Sequence, residues 1–235
     1  MDKMYIRFSL PELYDAALLR LKAAGRFDAA KEMHARMLDE ALTVHCVWAE
    51  GAELAAVTAC LAPAALRGPA LRIAGASLVC PAFEQIDARN VVRPILYALT
   101  LRADERPEPS VSRLLYRDLW QNAYIEAALA ALRARVAART ACALSDSFGP
   151  GYYGMALLEM KKLARALDFG RIGAAVLEDG SIQPPKSCAG IFFAVRDAAR
   201  MPADACRSCA GDRAGCAFCE HRRRLPSPRP ATSEL

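Results

Sequence analysis

The chain has 235 residues, 54% of them apolar and 24% charged, with a formal net charge of +5. That length is enough to bury a core, and an apolar fraction weighted toward Ala favours closely packed helices. The weak basic surplus gathers partly at Arg222, Arg223, Arg224 and Arg229, so nucleic acid is not the expected partner. Met1–Leu10 lacks the apolar run of a signal peptide, and Leu54–Leu66, interrupted by Pro63, is too short to span a bilayer. The reading is a cytoplasmic protein with no membrane partner, whose nine cysteines are thiols, not disulfides.

In chain order, Ser9 followed by Pro11 and Glu12 opens a first helix with a capping box. Leu13, Ala17, Leu18 and Leu21 form its apolar face, and Gly25 ends it. A second helix is predicted over about Asp28–Ala41, with Ala30, Met33, Met37 and Leu38 inward and His34 a structural residue. Leu42–Trp48, Leu71–Ile73, Leu78–Val79 and Ile95–Leu101 read as strands or buried segments. A polar loop with Pro107 and Pro109 precedes the longest helix, about Val111–Ala138. Its expected buried side is Leu115, Leu119, Tyr124, Ala127, Ala131 and Val136, with Glu126 among them. A strand at Ala141–Leu144, a glycine loop at Phe148–Gly154 and a helix over Met155–Leu167 follow. Strands at Gly173–Leu177 and Cys188–Val195 come next, with Glu178-Asp179-Gly180 opening the turn between them. Cys46, Cys60, Cys80 and Cys142 lie in apolar runs and read as core residues.

The last part of the chain carries Cys206, Cys209, Cys216 and Cys219 in a C-x2-C-x6-C-x2-C pattern. Two residues between cysteines let both sulfurs of a pair face one point, and two such pairs supply four thiolates for one centre. Gly211 and Gly215 permit the bends between the pairs. The pairs are closer than in zinc ribbons, and the pattern differs from the bacterial ferredoxin run. The residues alone therefore leave zinc and a [4Fe–4S] cluster both open. Three divisions are expected: 1–200 as an α+β body, 201–221 as a metal or Fe–S segment, and 222–235 as a Pro-rich disordered tail.

Gly149, Gly151 and Gly154 also satisfy the G-x-G-x-x-G pattern of dinucleotide sites, with Glu178 and Asp179 at the next strand's end. Against that reading, Pro150 removes an amide that would face a pyrophosphate. The segment Ser147-Phe148-Gly149-Pro150-Gly151-Tyr152 resembles the R-x-x-P-G-Y loop of the activation domain of cobalamin-dependent methionine synthase. Pro184-Pro185-Lys186-Ser187-Cys188-Ala189-Gly190 is similar to that family's P-x-x-S-V-S-G stretch. Between them, Met155–Leu167 followed by Arg171-Ile172-Gly173 keeps the family's order of elements, and Tyr124–Val136 resembles its long helix bearing an acidic residue.

The resemblance covers roughly residues 110–195 and implies a twisted antiparallel sheet with flanking helices. It further implies an S-adenosylmethionine pocket lined by Gly149, Gly151 and Tyr152, with Glu126 at the ligand's positive end. Ser187, Gly190 and Phe192 would belong to the wall facing a corrinoid. The family reactivates oxidised cobalamin with one electron and a methyl group. Because no D-x-H-x-x-G motif occurs here, cobalamin would come on a separate corrinoid or methyltransferase protein, with a flavodoxin or ferredoxin as electron donor. An electron-handling role favours the [4Fe–4S] cluster over zinc. The loop departs from the family in beginning with Ser147 in place of Arg, and Phe192 stands where Tyr is common. The competing reading is a non-catalytic, zinc-stabilised binding protein.

Overall fold

The computed structural model describes residues 2–28, 30–103 and 107–201. The four-cysteine segment and the Pro-rich tail lie outside the described residues. The fold is α+β. Its main sheet is antiparallel and runs in the order β1 (Lys3–Phe8), β2 (Glu53–Cys60), β6 (Val91–Arg102), β10 (Ser187–Val195) and β7 (Ala143–Leu144). A meander of β3 (Leu66–Arg67), β4 (Ala70–Ile73) and β5 (Ala76–Val79) packs on one face. The small hairpin of β8 (Ala175–Val176) and β9 (Ile182–Gln183) forms a third sheet.

Three helices cover the other face: α1 (Leu10–Ala24), α2 (Glu32–Trp48) and α3 (Val111–Thr140). The α1 boundaries follow the sequence reading. Ser9 Oγ accepts from the Glu12 N–H, while the Glu12 carboxylate pairs with Arg135 at 3.2 Å. Gly25 closes the helix by donating to Leu21 O. The second helix differs from the expectation. It begins at Glu32 and continues through Leu42–Trp48, the stretch read as a strand. Its buried face is Ala41, Val44 and Trp48, a spacing of three and four that only a helix turns to one side. Met33, expected inside, is 69% exposed. His34 accepts the Asp28 N–H at 3.0 Å, as befits a structural residue.

On α3 the buried stripe runs through Tyr116, Trp120, Ala123, Tyr124, Ala127, Ala128, Leu132 and Val136, while Leu115 is exposed. The indole N–H of Trp120 donates to Ala41 O at 2.8 Å and ties α3 to α2.

Strand alternation divides the core. Leu54 and Ala56 of β2, Tyr97 and Leu99 of β6 and Phe192 of β10 face the helices. Val57, Leu96, Ile191 and Phe193 face the meander and the short helix α4 (Met160–Leu167). With both faces of the sheet covered, its central strands read as unbroken apolar runs. The turn at Glu178-Asp179-Gly180 is present, with Gly180 at φ +90°, but it joins β8 to β9. β10 belongs to the main sheet instead. Of the thiols expected in the core, Cys80 is buried, Cys60 and Cys142 are half-buried, and Cys46 is exposed because it sits on the outer side of α2. No described helix is long and apolar enough to cross a membrane.

Candidate functional site: the glycine loop on the edge of β10

β7 pairs with β10 only at Ala143 and Leu144, so beyond it the outer edge of β10 needs another partner. The glycine loop supplies it. Phe148 and Ile191 exchange both main-chain hydrogen bonds, at 2.9 and 2.8 Å, and Ser145 Oγ accepts the Phe193 N–H at 2.9 Å. Main-chain polar groups alternate sides along a strand, so the N–H and C=O of Ala189 also point outward, beside Gly149. A Cβ at Gly149 would lie 3.0 Å from Ala189 O. One at Gly190 would lie 2.6 Å from Phe148 O and 3.0 Å from Ser147 Oγ. These two glycines let the loop lie directly on the strand.

Beyond Gly149 the chain turns tightly. Tyr152 N–H donates to Gly149 O, Met155 N–H to Tyr152 O, and Gly151 N–H to Met155 O. Gly151 has φ +88° and Gly154 +76°, conformations that need no side chain. Tyr152 is left 49% exposed at the tip, whereas Tyr153 folds inward with its ring 4.9 Å from that of Phe148. Leu157 adds exposed apolar surface beside the tip, its side chain 3.8 Å from where a Cβ at Gly151 would stand; Leu158 and Leu177 are exposed as well.

Beneath the loop, Tyr97 stands opposite Gly190 in register. Its ring stacks on Phe192 at 4.5 Å and its hydroxyl meets Ser147 Oγ at 2.6 Å. Burial, reinforced by nearby Cys188, holds the Tyr97 phenol well above its ordinary range, against a smaller opposing effect of the Ser147 bond. Burial also pushes the Cys188 thiol up to about 12. Both groups are therefore neutral. Sequence reasoning did not single out Tyr97. Its one signal was a hydroxyl within an apolar strand, which must find a partner.

Of the seven residues expected to form a pocket, Gly149, Gly151, Tyr152 and Gly190 come together at this ledge. Ser187 lies at the start of β10, where its hydroxyl donates to Pro184 O at 2.7 Å and meets the buried Thr100 hydroxyl at 2.8 Å. Phe192 is 1% exposed and lies in the helix-side core instead of on a ligand-facing wall. Glu126 is turned to solvent and to α1, with its carboxylate 3.9 Å from Arg20. Asp118 and Asn122, earlier on α3, hold Lys186 Nζ at 2.5 and 2.8 Å, just before β10 begins.

The dinucleotide alternative fails on topology. Every strand pair among the described residues is antiparallel, so the loop does not sit in a parallel βαβ unit. Asp179, its candidate ribose ligand, is occupied by the hydroxyl and N–H of Ser181 at 2.7 and 2.9 Å. Among the described residues no cluster of His, Cys, Asp and Glu could hold a metal ion. Cys206, Cys209, Cys216 and Cys219 lie outside them.

Neither a protein-family model nor a curated protein matches the sequence. Solved structures do match. One is the crystal structure of the MetH reactivation domain bound to AdoHcy, at 10% identity and a TM-score of 0.56. The alignment spans 84% of this chain and 79% of that one. The fold resembles the MetH reactivation domain. The likeness read from the two loop motifs thus extends to the architecture, including the antiparallel sheet and its flanking helices. At this identity what is shared with the reactivation domain is the fold.

Proposed function

We propose that this chain is a stand-alone counterpart of the methionine synthase activation domain. In this reading it binds an S-adenosyl ligand at the glycine loop and assists reductive reactivation of a corrinoid carried by a separate protein. The observation that carries it is the meeting of two distant motifs. Residues 147–152 and 187–190 resemble one family's loop and strand, and they are clamped together through Phe148 and Ile191 on a fold like one whose solved example holds AdoHcy. Gly149 and Gly151 leave the loop's main chain bare of side chains, which permits a close approach to its backbone groups, and Tyr152 offers a ring face. The exposed apolar surface of Leu157 beside that tip suits a protein partner bringing the corrinoid.

The proposal assigns Cys206, Cys209, Cys216 and Cys219 a [4Fe–4S] cluster, with zinc as the alternative; four thiolates suit either. A cluster held there would supply single electrons, whereas zinc would supply only a structural link. Iron and sulfide analysis of anaerobically purified protein separates them. Stoichiometric zinc without sulfide would remove the electron-relay part of the reading.

The ligand-binding part is tested by calorimetric titration of the full chain with S-adenosylmethionine and with AdoHcy. Binding that weakens at least tenfold in Tyr152→Ala is expected. A second reading, a zinc-stabilised binding module without ligand, is favoured by two details. The Ser147 hydroxyl is engaged by Tyr97, and Glu126 faces away toward Arg20. Absence of heat with both ligands would leave that reading standing.

A further inference from the structure

A cleft of about 220 Å³ lies on the helix side of the sheet, between the last turn of α3 and strands β1, β2 and β6. Lys3, Thr58, Arg93 and Arg139 line it, together with Met4 and a single acid, Asp2. No residue of the glycine loop borders it. Register explains the grouping: Met4 lies opposite Thr58 and Cys60 opposite Ile95, two residues from Arg93 on the same face of β6.

Three cations line this cleft without a carboxylate partner among the described residues. Arg102, Arg113, Arg133 and Arg135 each pair with a carboxylate. Arg139 has its Nη1 2.8 Å from the thioether of Met4, a weak acceptor. Lys3 and Arg93 make no ion pair among the described residues, and neither does Asp2. Thr58 adds a neutral donor. It borders the cleft, and its hydroxyl has no hydrogen-bond partner among the described residues. That hydroxyl and the three cations would donate together to an oxyanion in the cleft. Arg139, in the last turn of α3, also offsets the carbonyl end of that helix, which would otherwise repel an anion.

We infer that this cleft is a second ligand site, for an oxyanion of the phosphate class, with Arg93 and Arg139 as its charged donors and Thr58 as its neutral one. The site is independent of the glycine loop and of any S-adenosyl ligand there. Inorganic phosphate and glycerol phosphate, titrated calorimetrically into the full chain at fixed ionic strength, distinguish a free anion from an ester as its occupant. The expected result is saturable binding of at least one, weakened tenfold or more by Arg93→Gln and by Arg139→Gln, and weakened by the isosteric Thr58→Val. Arg93 is exposed, so its variant is expected to fold; far-UV circular dichroism checks each. Absence of saturable heat with both probes at millimolar concentration would overturn the inference. So would equal binding in folded Arg93→Gln and Arg139→Gln.

Discussion

The carbonyl oxygen of Phe148 occupies the space that a side chain at Gly190 would need, 2.6 Å from where its Cβ would stand. The oxygen cannot give way without releasing its bond from Ile191 N–H, which is 2.8 Å long. Gly190→Ala is therefore expected to push the loop off the strand and destabilise the fold by roughly 1–3 kcal/mol, as overpacked sites do. Gly149→Ala, with 3.0 Å to Ala189 O, is expected to cost less. Urea unfolding of both variants measures the order, and a smaller loss for Gly190→Ala would contradict the clamp.

Tyr97 and Ser147 make a pair whose two deletions are unequal. Ser147→Ala leaves a buried phenol hydroxyl without its partner and is expected to cost about 1–3 kcal/mol. Tyr97→Phe keeps the stack on Phe192 and removes the group that needs satisfying, so the loss should be smaller. The double variant should cost less than the two singles summed. In an ultraviolet pH titration, Tyr97 is the phenol expected to resist ionisation, because burial raises its pKa.

His45 sets a pH dependence. Its Nε2 lies 2.7 Å from the Tyr124 hydroxyl, within a ring cluster that includes Tyr14, Trp48 and Trp120. Burial lowers its pKa below the ordinary 6.5. Between the folded value and 6.5 the unfolded chain binds the extra proton, so stability is fully present above about 6.5 and falls as pH drops through that window. The Tm measured from pH 8 to 5 should decline below 6.5, and His45→Gln should flatten the decline. Identical profiles would show that other groups carry it.

Thiol reactivity should separate two cysteines by environment. Cys188, its thiol pushed up to about 12, is expected to resist iodoacetamide at pH 8, while exposed Cys46 is alkylated. Peptide mapping by mass spectrometry reads both sites at once. Faster labelling of Cys188 would mean that its cover under α3 opens readily.

The parts of this architecture that announce themselves in sequence are those governed by local chemistry. Ser9 and Gly25 bracket α1 because caps act within a turn, and the span of α3 follows from an uninterrupted helical sequence after Ser110. Likeness to a family assigned the glycine loop and Ser187–Phe192 to one functional region, but their pairing was not legible, since spacing does not say which strand a loop will meet. Leu42–Trp48 misleads because Val44, Val47 and Trp48 favour strands, while the contact that settles the matter is Trp120 reaching Ala41 from 79 positions away. β2 escaped notice because Ala55, Ala56 and Ala59 are poor strand formers and both faces are covered, which erases alternation. Glu126 was misplaced by counting apolar neighbours along α3. The true stripe passes through Tyr116 and Trp120, and that leaves residue 126 on the outside.

The brevity of β7 has a consequence for how such a fold can change. Two residues of outer strand leave most of one flank of β10 unclaimed by regular pairing, and an irregular segment settles there instead. Insertions that prolonged β7 would zip that flank closed and consume the amide and carbonyl of Ala189. A stunted border strand is thus the concession that lets an irregular loop settle against an interior strand.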